Sequence, residues 1–299
     1  MTETIGNPLS WGAKEIGVVG RHLGSAAGRI GHGDVAEIDV PAVRHIDVHD
    51  LREVLRKGYE DFTHCRTDVA FLCVFYPVAG ILLAWIAFDR NLLPLLFPIM
   101  AGFALIGPVA AVGLYEMSRR RELGEEPDWA HAFAVVKSPS FGGILVLGLM
   151  LFGVFIVWLL TANGIYYATM GPDYPASIGA FASEVLTTRA GWGMVLLGCG
   201  VGFLFAAAVL AGSVVSFPLL LDRDVGLPVA VITSMKVAMA NPGPIAAWGL
   251  IVAAGLVLGS IPLFLGLIVV LPILGHATWH LYRLTVVPAP EAAAKREAA

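Results

Sequence analysis

Two histidines stand four residues apart in the segment LGHATWHLYR, His276 and His280. On a helix this spacing puts both imidazoles on one face, where they could offer two ligands to a metal ion or a haem. A carboxylate from a neighbouring helix end (Glu116, Asp222 or Asp224) would complete such a site. The competing use of the same residues is mechanical. With Trp279, Tyr282 and Arg283 they would anchor a helix end at the membrane surface or hydrogen-bond between helices. Oxidase-type haem chemistry needs histidines deep in several helices. Here His131 lies in a connection and the other five precede residue 65. Catalytic haem is therefore not expected, and the base expectation is no cofactor.

The second group with chemical potential is a charge cluster, Glu116, Arg119, Arg120, Arg121 and Glu122, with Asp222, Arg223 and Asp224 further on. Acids interleaved with bases at the ends of apolar segments usually pair. The expectation is a structural cluster in which the two segment ends exchange Arg–carboxylate bonds; the rival is a phospholipid-binding triple Arg. Soluble-enzyme motifs are missing: there is no P-loop, GxSxG, HExxH or CxxC. Cys65, Cys73 and Cys199 form neither a disulfide framework nor a zinc knuckle. No catalytic residue can be named, and the chain is not expected to be an enzyme.

These groups need elements to hold them. The chain has 299 residues, 57% of them hydrophobic and only 14% charged. Its mean hydropathy is +0.78. A soluble domain carries about 25% charged residues, so this composition places most of the surface against lipid. The net charge of −4 gives no basic footprint for nucleic acid. The N-terminus lacks a basic region followed by an apolar core, so no cleaved signal peptide is expected.

Apolar segments of about 20 residues read as membrane helices. They predict six spans, near 69–88, 92–115, 141–161, 192–221, 243–258 and 263–282. The last two come from a long stretch without Asp, Glu, Lys or Arg, divided at Gly259-Ser260-Ile261-Pro262. Six crossings put both termini on one side. With that side cytoplasmic, only Arg90 and Arg189 of the 19 Lys and Arg residues fall outside.

Residues 1–46 read as a mobile cytoplasmic tail and 287–299 as a disordered one, flanking a membrane domain over 47–286. After Asp47 a polar amphipathic helix is expected, with Leu51, Val54, Leu55 and Phe62 on one face. Ile178, Phe181, Val185 and Leu186 predict an interfacial helix in the long external loop, and Tyr166, Tyr167, Tyr174 and Trp192 an aromatic belt. Gly198 and Gly202 form GxxxG, suited to close helix packing within the chain or at a homodimer face.

The chain also repeats itself. Arg121-Glu122-Leu123-Gly124 and Arg223-Asp224-Val225-Gly226 share Arg, acid, aliphatic, Gly. Pro127 or Pro228 follows, then an amphipathic stretch (Trp129, Phe133, Val136; Val231, Met235, Met239), a late Lys (Lys137, Lys236), and Ser138-Pro139 or Asn241-Pro242. Both copies arrive from the same side, so the repeats are parallel. The fold expected is an all-α polytopic membrane helix bundle of six transmembrane helices, with two parallel repeats and cytoplasmic amphipathic helices.

The segments GLYEMSRRRELG (113–124), SFPLLLDRDVG (216–226) and TSMKVAMANPG (233–243), with LGHATWHLYR (274–283) and FYPVAGILLAW (75–85), resemble a family of bacterial integral membrane proteins, domain of unknown function 2189. The resemblance runs from about Val43 to Val286. It implies a multi-pass inner-membrane protein. Some members carry the label of a cytochrome c oxidase subunit, but the resemblance supplies no catalytic residues. The expected function is a non-enzymatic scaffold, interaction or assembly factor. Its partners would be the lipid bilayer and a respiratory or envelope membrane complex, with no nucleic acid. The competing classes are a small-solute carrier or channel, and a metal- or haem-binding accessory protein using His276 and His280.

Overall fold

A computed structural model describes residues 40–65, 93–126, 134–173 and 175–288, together with residues 78, 80–82, 85 and 132. The first helix, α1 (Asp50–His64), is amphipathic. A 3-10 turn, Leu93–Leu95, leads into α2 (Leu96–Ala110) and α3 (Val112–Glu122), separated by Ala111 three residues after Pro108. A second 3-10 turn, Ala134–Lys137, precedes α4 (Phe141–Met170). Then follow α5 (Ile178–Thr187), α6 (Arg189–Ser213), α7 (Ser216–Asp222), α8 (Leu227–Ala240), α9 (Pro242–Ser260) and α10 (Leu267–Thr285). No strand occurs among the described residues. One isolated antiparallel bridge joins Val43 to Val286.

Among the described residues four helices are long and apolar enough to cross a membrane: Phe141–Met170, Arg189–Asp222, Pro242–Ser260 and Leu267–Thr285. Leu93–Gly102, Ile178–Thr187 and Leu227–Ala240 are apolar but shorter. The expected second span, 92–115, is thus divided between the Leu93–Leu95 turn, α2 and α3. The expected first span, 69–88, lies outside the described residues except for 78, 80–82 and 85, which are helical. Trp129, Phe133 and Tyr174 also lie outside them, as do residues 1–39 and 289–299 of the two tails.

Two boundaries moved for identifiable reasons. The third span continues from 161 to Met170, because Thr161 and Thr169 donate back to the carbonyls of Val157 and Ile165 rather than opening a loop. It stops where Gly171 takes φ +90. The fourth breaks at Val214–Val215, since Pro218 offers no N–H to Val214 and its ring crowds that carbonyl. Ser234 on α8 repairs the break, accepting from Val215 N (3.4 Å) and donating to Ala211 O (2.8 Å). The amphipathic helix expected around Ile178–Leu186 is present as α5, capped by Ser177, whose side chain accepts from Ala180 N.

The core is not where the longest helices are. Only 6% of the most apolar stretch of Arg189–Asp222 is buried, against 44% for α10. The fully buried side chains gather instead in α7 (Phe217, Leu219, Leu220) and the second half of α10 (Trp279, Leu281, Tyr282). Around these pack α1, α3 and α8. This layer also holds the charges. Segment 42–46 closes it: Arg44 N donates to Thr285 O, Val287 N to Ala42 O, and Ile46 N to the buried Asn241 side chain. The last residues of the expected mobile tail are therefore pinned.

The GxxxG pair divides. A Cβ on Gly202 would lie 2.9 Å from the Trp158 ring of α4, while one on Gly198 meets nothing within 4 Å. Gly202 is a contact within the chain. Gly202→Ala is therefore expected to lower stability by about 1 kcal/mol through overpacking. Gly198→Ala should be neutral or stabilise by up to about 1 kcal/mol through helix propensity. Thermal unfolding of the two variants in the same detergent checks this.

Candidate functional site

α1 turns the stripe Leu51, Val54, Gly58, Asp61 and Phe62 inward. Gly58 is what lets α1 reach α10: a Cβ there would sit 2.6 Å from Ala277 Cβ and 2.7 Å from Ile273 O. That approach carries Asp61 into a buried node. Its Oδ2 accepts from Ser118 Oγ of α3 at 2.6 Å and from His280 Nε2 of α10 at 2.9 Å. Its Oδ1 accepts from Arg121 of α3. Ser118 spends its proton on Asp61, so His276 Nδ1–H donates to Ser118 Oγ at 2.7 Å. His276 Nε2 then faces the interior without a partner among the described residues.

Burial works against the charge on Asp61. The hydrogen bonds from His280 and Ser118, with the nearby imidazoles, overcome it and hold the carboxyl below its usual range. The node is thus a carboxylate with three donors, each from an element that α1 must dock against.

A second belt lies beside it. Arg283 donates to Asp222 at 3.1 Å and Glu122 at 3.3 Å. Tyr282 OH donates to Asp222 at 2.6 Å and Trp279 Nε1 to Glu122 at 3.1 Å. Glu116 is buried and takes Arg119 (2.8 Å) and Arg120 (2.7 Å) from its own helix. Arg223 donates to Val287 O at 2.6 Å, and Asp224 sits on the exposed connection before α8.

The residues of the expected charge cluster are wired differently from the exchange expected: Arg119 and Arg120 stay on their own helix and Arg223 turns to Val287 O. The two segment ends are joined through Arg283 of α10. Arg121 turns to Asp61. His276 and His280 share a face as expected, but Asp61 and Ser118 engage them. The carboxylate among them comes from α1, not from Glu116, Asp222 or Asp224. Among the described residues no group of three or more His, Cys, Asp and Glu is placed to hold a metal ion. Trp279 and Tyr282 are fully buried and bonded between helices rather than spread at a surface.

A cavity of about 470 Å³ opens between α1, α3 and α10. Its charged lining is spoken for: Arg121 and His280 pair with Asp61, Arg283 with Glu122, and Lys57 lies 3.8 Å from Glu53. Chemically the arrangement is a clamp, a set of charge-assisted bonds that fix three helices to one another.

Residues 96–222 match the family model described as a predicted integral membrane protein, DUF2189. The match runs from α2 to α7. No curated protein and no solved structure matches the chain. GLYEMSRRRE lies inside the DUF2189 match, as does SFPLLLD, whereas segments 75–85, 233–243 and 274–283 lie beyond it. The matched residues thus include Ser118, Arg121, Glu122 and Asp222. Asp61, His276, His280 and Arg283 come from helices on either side of it. The protein is an integral membrane protein.

Proposed function

We propose that this is a non-enzymatic scaffold, interaction or assembly factor of the bacterial inner membrane. The charged layer would face the cytoplasm, together with both termini. The distribution of Lys and Arg supports that orientation. Segments 69–88, 92–115, 141–170 and 189–213 would each pass through the bilayer. The last two apolar helices return to the side they left, which keeps the termini together. Two parallel repeats are supported by the glycines that end the two aligned motifs, Gly124 (φ +80) and Gly226 (φ +72), which both take a positive φ.

One observation carries the functional reading. Asp61, Glu116, Glu122 and Asp222 each take arginine, histidine, tyrosine or tryptophan donors, and of the node's buried imidazole nitrogens only His276 Nε2 has no partner among the described residues, which favours a rigid platform over a reactive site. The test is recovery from native membranes in mild detergent, with a photo-crosslinker at the exposed Tyr59. A scaffold should migrate with one membrane complex in stoichiometric amount and give one crosslinked product. Migration alone, with solute uptake by the purified protein in liposomes, would replace this reading by a carrier. A haem absorbance band or one bound metal per chain would replace it by an accessory protein.

A further inference from the structure

The turn between α9 and α10 is built from residues that water disfavours. Ile261, Leu263 and Leu265 are 72%, 74% and 58% exposed. Leu263 and Phe264 hold φ of 51 and 64, where glycine is the ordinary choice. Yet most of its amides are satisfied locally: Ile261, Leu263, Phe264, Leu265 and Leu267 each donate to a carbonyl no more than four residues back. A turn made this way suits a place with neither water nor partners, because hydrocarbon leaves no other acceptor for an amide.

Two depths agree on where that place is. Gly58 packs against Ile273 and Ala277, and α1 around it carries Glu53, Lys57 and Glu60, with side chains about half exposed. Hydrocarbon cannot extend below that level, so it begins no deeper than Ile273. Six residues of α10, about 9 Å at the helical rise, separate Ile273 from Leu267, and Phe264 lies in the turn just beyond, against a core about 30 Å thick. From the other direction, a Cβ on Gly80 would meet the Phe264 ring at 3.1 Å. Gly80 stands near the middle of the uncharged run between Asp68 and Asp89. Both put Phe264 inside the hydrocarbon, well short of its far face.

We propose that α9 and α10 form a re-entrant hairpin that does not cross the membrane, with the tip Ile261–Leu265 embedded as a wedge among lipid acyl chains. This rests on the reading that the longer helices cross a bilayer. By length alone α9 and α10, at 19 residues each, could also cross, as α4 and the Arg189–Asp222 helix can at 30 and 34, so the hairpin rests on where its tip lies and not on length.

The test uses the full chain with Cys65, Cys73 and Cys199 replaced by Ala, a spin label at Leu263→Cys, and vesicles of phosphatidylethanolamine and phosphatidylglycerol. Collisions with oxygen should dominate at 263, with contact to a water-soluble nickel complex about tenfold below that at Asp173→Cys, as expected inside the hydrocarbon. Equal nickel contact at 263 and 173 would overturn the hairpin. Leu265→Cys gives the same reading if the first variant does not fold. Sidedness is read separately with an impermeant thiol reagent, which should reach Asp173→Cys and Val48→Cys from opposite faces. Labelling from one face would defeat the orientation proposed above, while the depth at 263 would still decide the hairpin.

Discussion

Asp61→Ala is expected to cost about 3–5 kcal/mol, because it strands the donors of Arg121, Ser118 and His280 around a buried position. Removing one partner of a buried pair costs more than the pair contributes, since the remaining charge has lost both its mate and its water. At roughly 2–4 °C per kcal/mol for a chain of this size class, the melting temperature should fall by about 10 °C. The variant also changes the response to acid. The Asp61 carboxyl is held below its unfolded value of about 3.9. Its contribution is therefore complete above that value and lost as pH falls through the lower folded one. Melting in detergent from pH 7 downward should show wild type losing stability more steeply than Asp61→Ala over that acidic range. Parallel curves would mean the carboxylate is not held as described.

The second large effect is steric. Gly58→Val places a side chain where Ala277 Cβ, Ala277 N and Ile273 O already lie within 2.7 Å of the Cβ position. Two of these are backbone atoms, so neither can rotate away. Overpacking typically costs 1–3 kcal/mol, and a clash with backbone belongs at or above the upper end of that range. The loss should be about 3 kcal/mol, with the melting temperature down by roughly 6–12 °C. Gly58→Ala makes the point sharper. On an exposed helix it would stabilise by up to about 1 kcal/mol, whereas here it should destabilise. A stabilised Gly58→Ala would show that α1 does not dock on α10.

The apolar segments were legible because lipid leaves a continuous signature in composition, and the surface helix α1 was legible from its period. What escaped was how these pieces meet. Asp61 stands in the apolar stripe of α1 between Gly58 and Phe62, and an acid on a buried face is a signal of a partner. Reading α1 only for its leucines and valines hid it. Arg283 was read with the surface anchors because it ends an apolar helix. Its role depends on α3 and α7 ending beside it, which no local spacing reveals. The break at Val214–Val215 was foreshadowed by Pro218, but the hydroxyl that repairs it, Ser234, comes from a different helix. The GxxxG pair shows the reverse. Its spacing is real, yet only Gly202 lies against a neighbour, since Trp158 reaches one turn of α6 and not the turn before it.

The central claim is that the ordered core of this protein is its charged layer, with α1 locked onto α10, rather than the contacts among its long apolar helices. Hydrogen–deuterium exchange of the full chain in detergent measures this directly. The amides of Asp50–His64 should be as strongly protected as those of Ala277–Thr285, and both should lose protection together in Asp61→Ala. Rapid exchange of α1 in the wild-type protein, with α10 still protected, would contradict it.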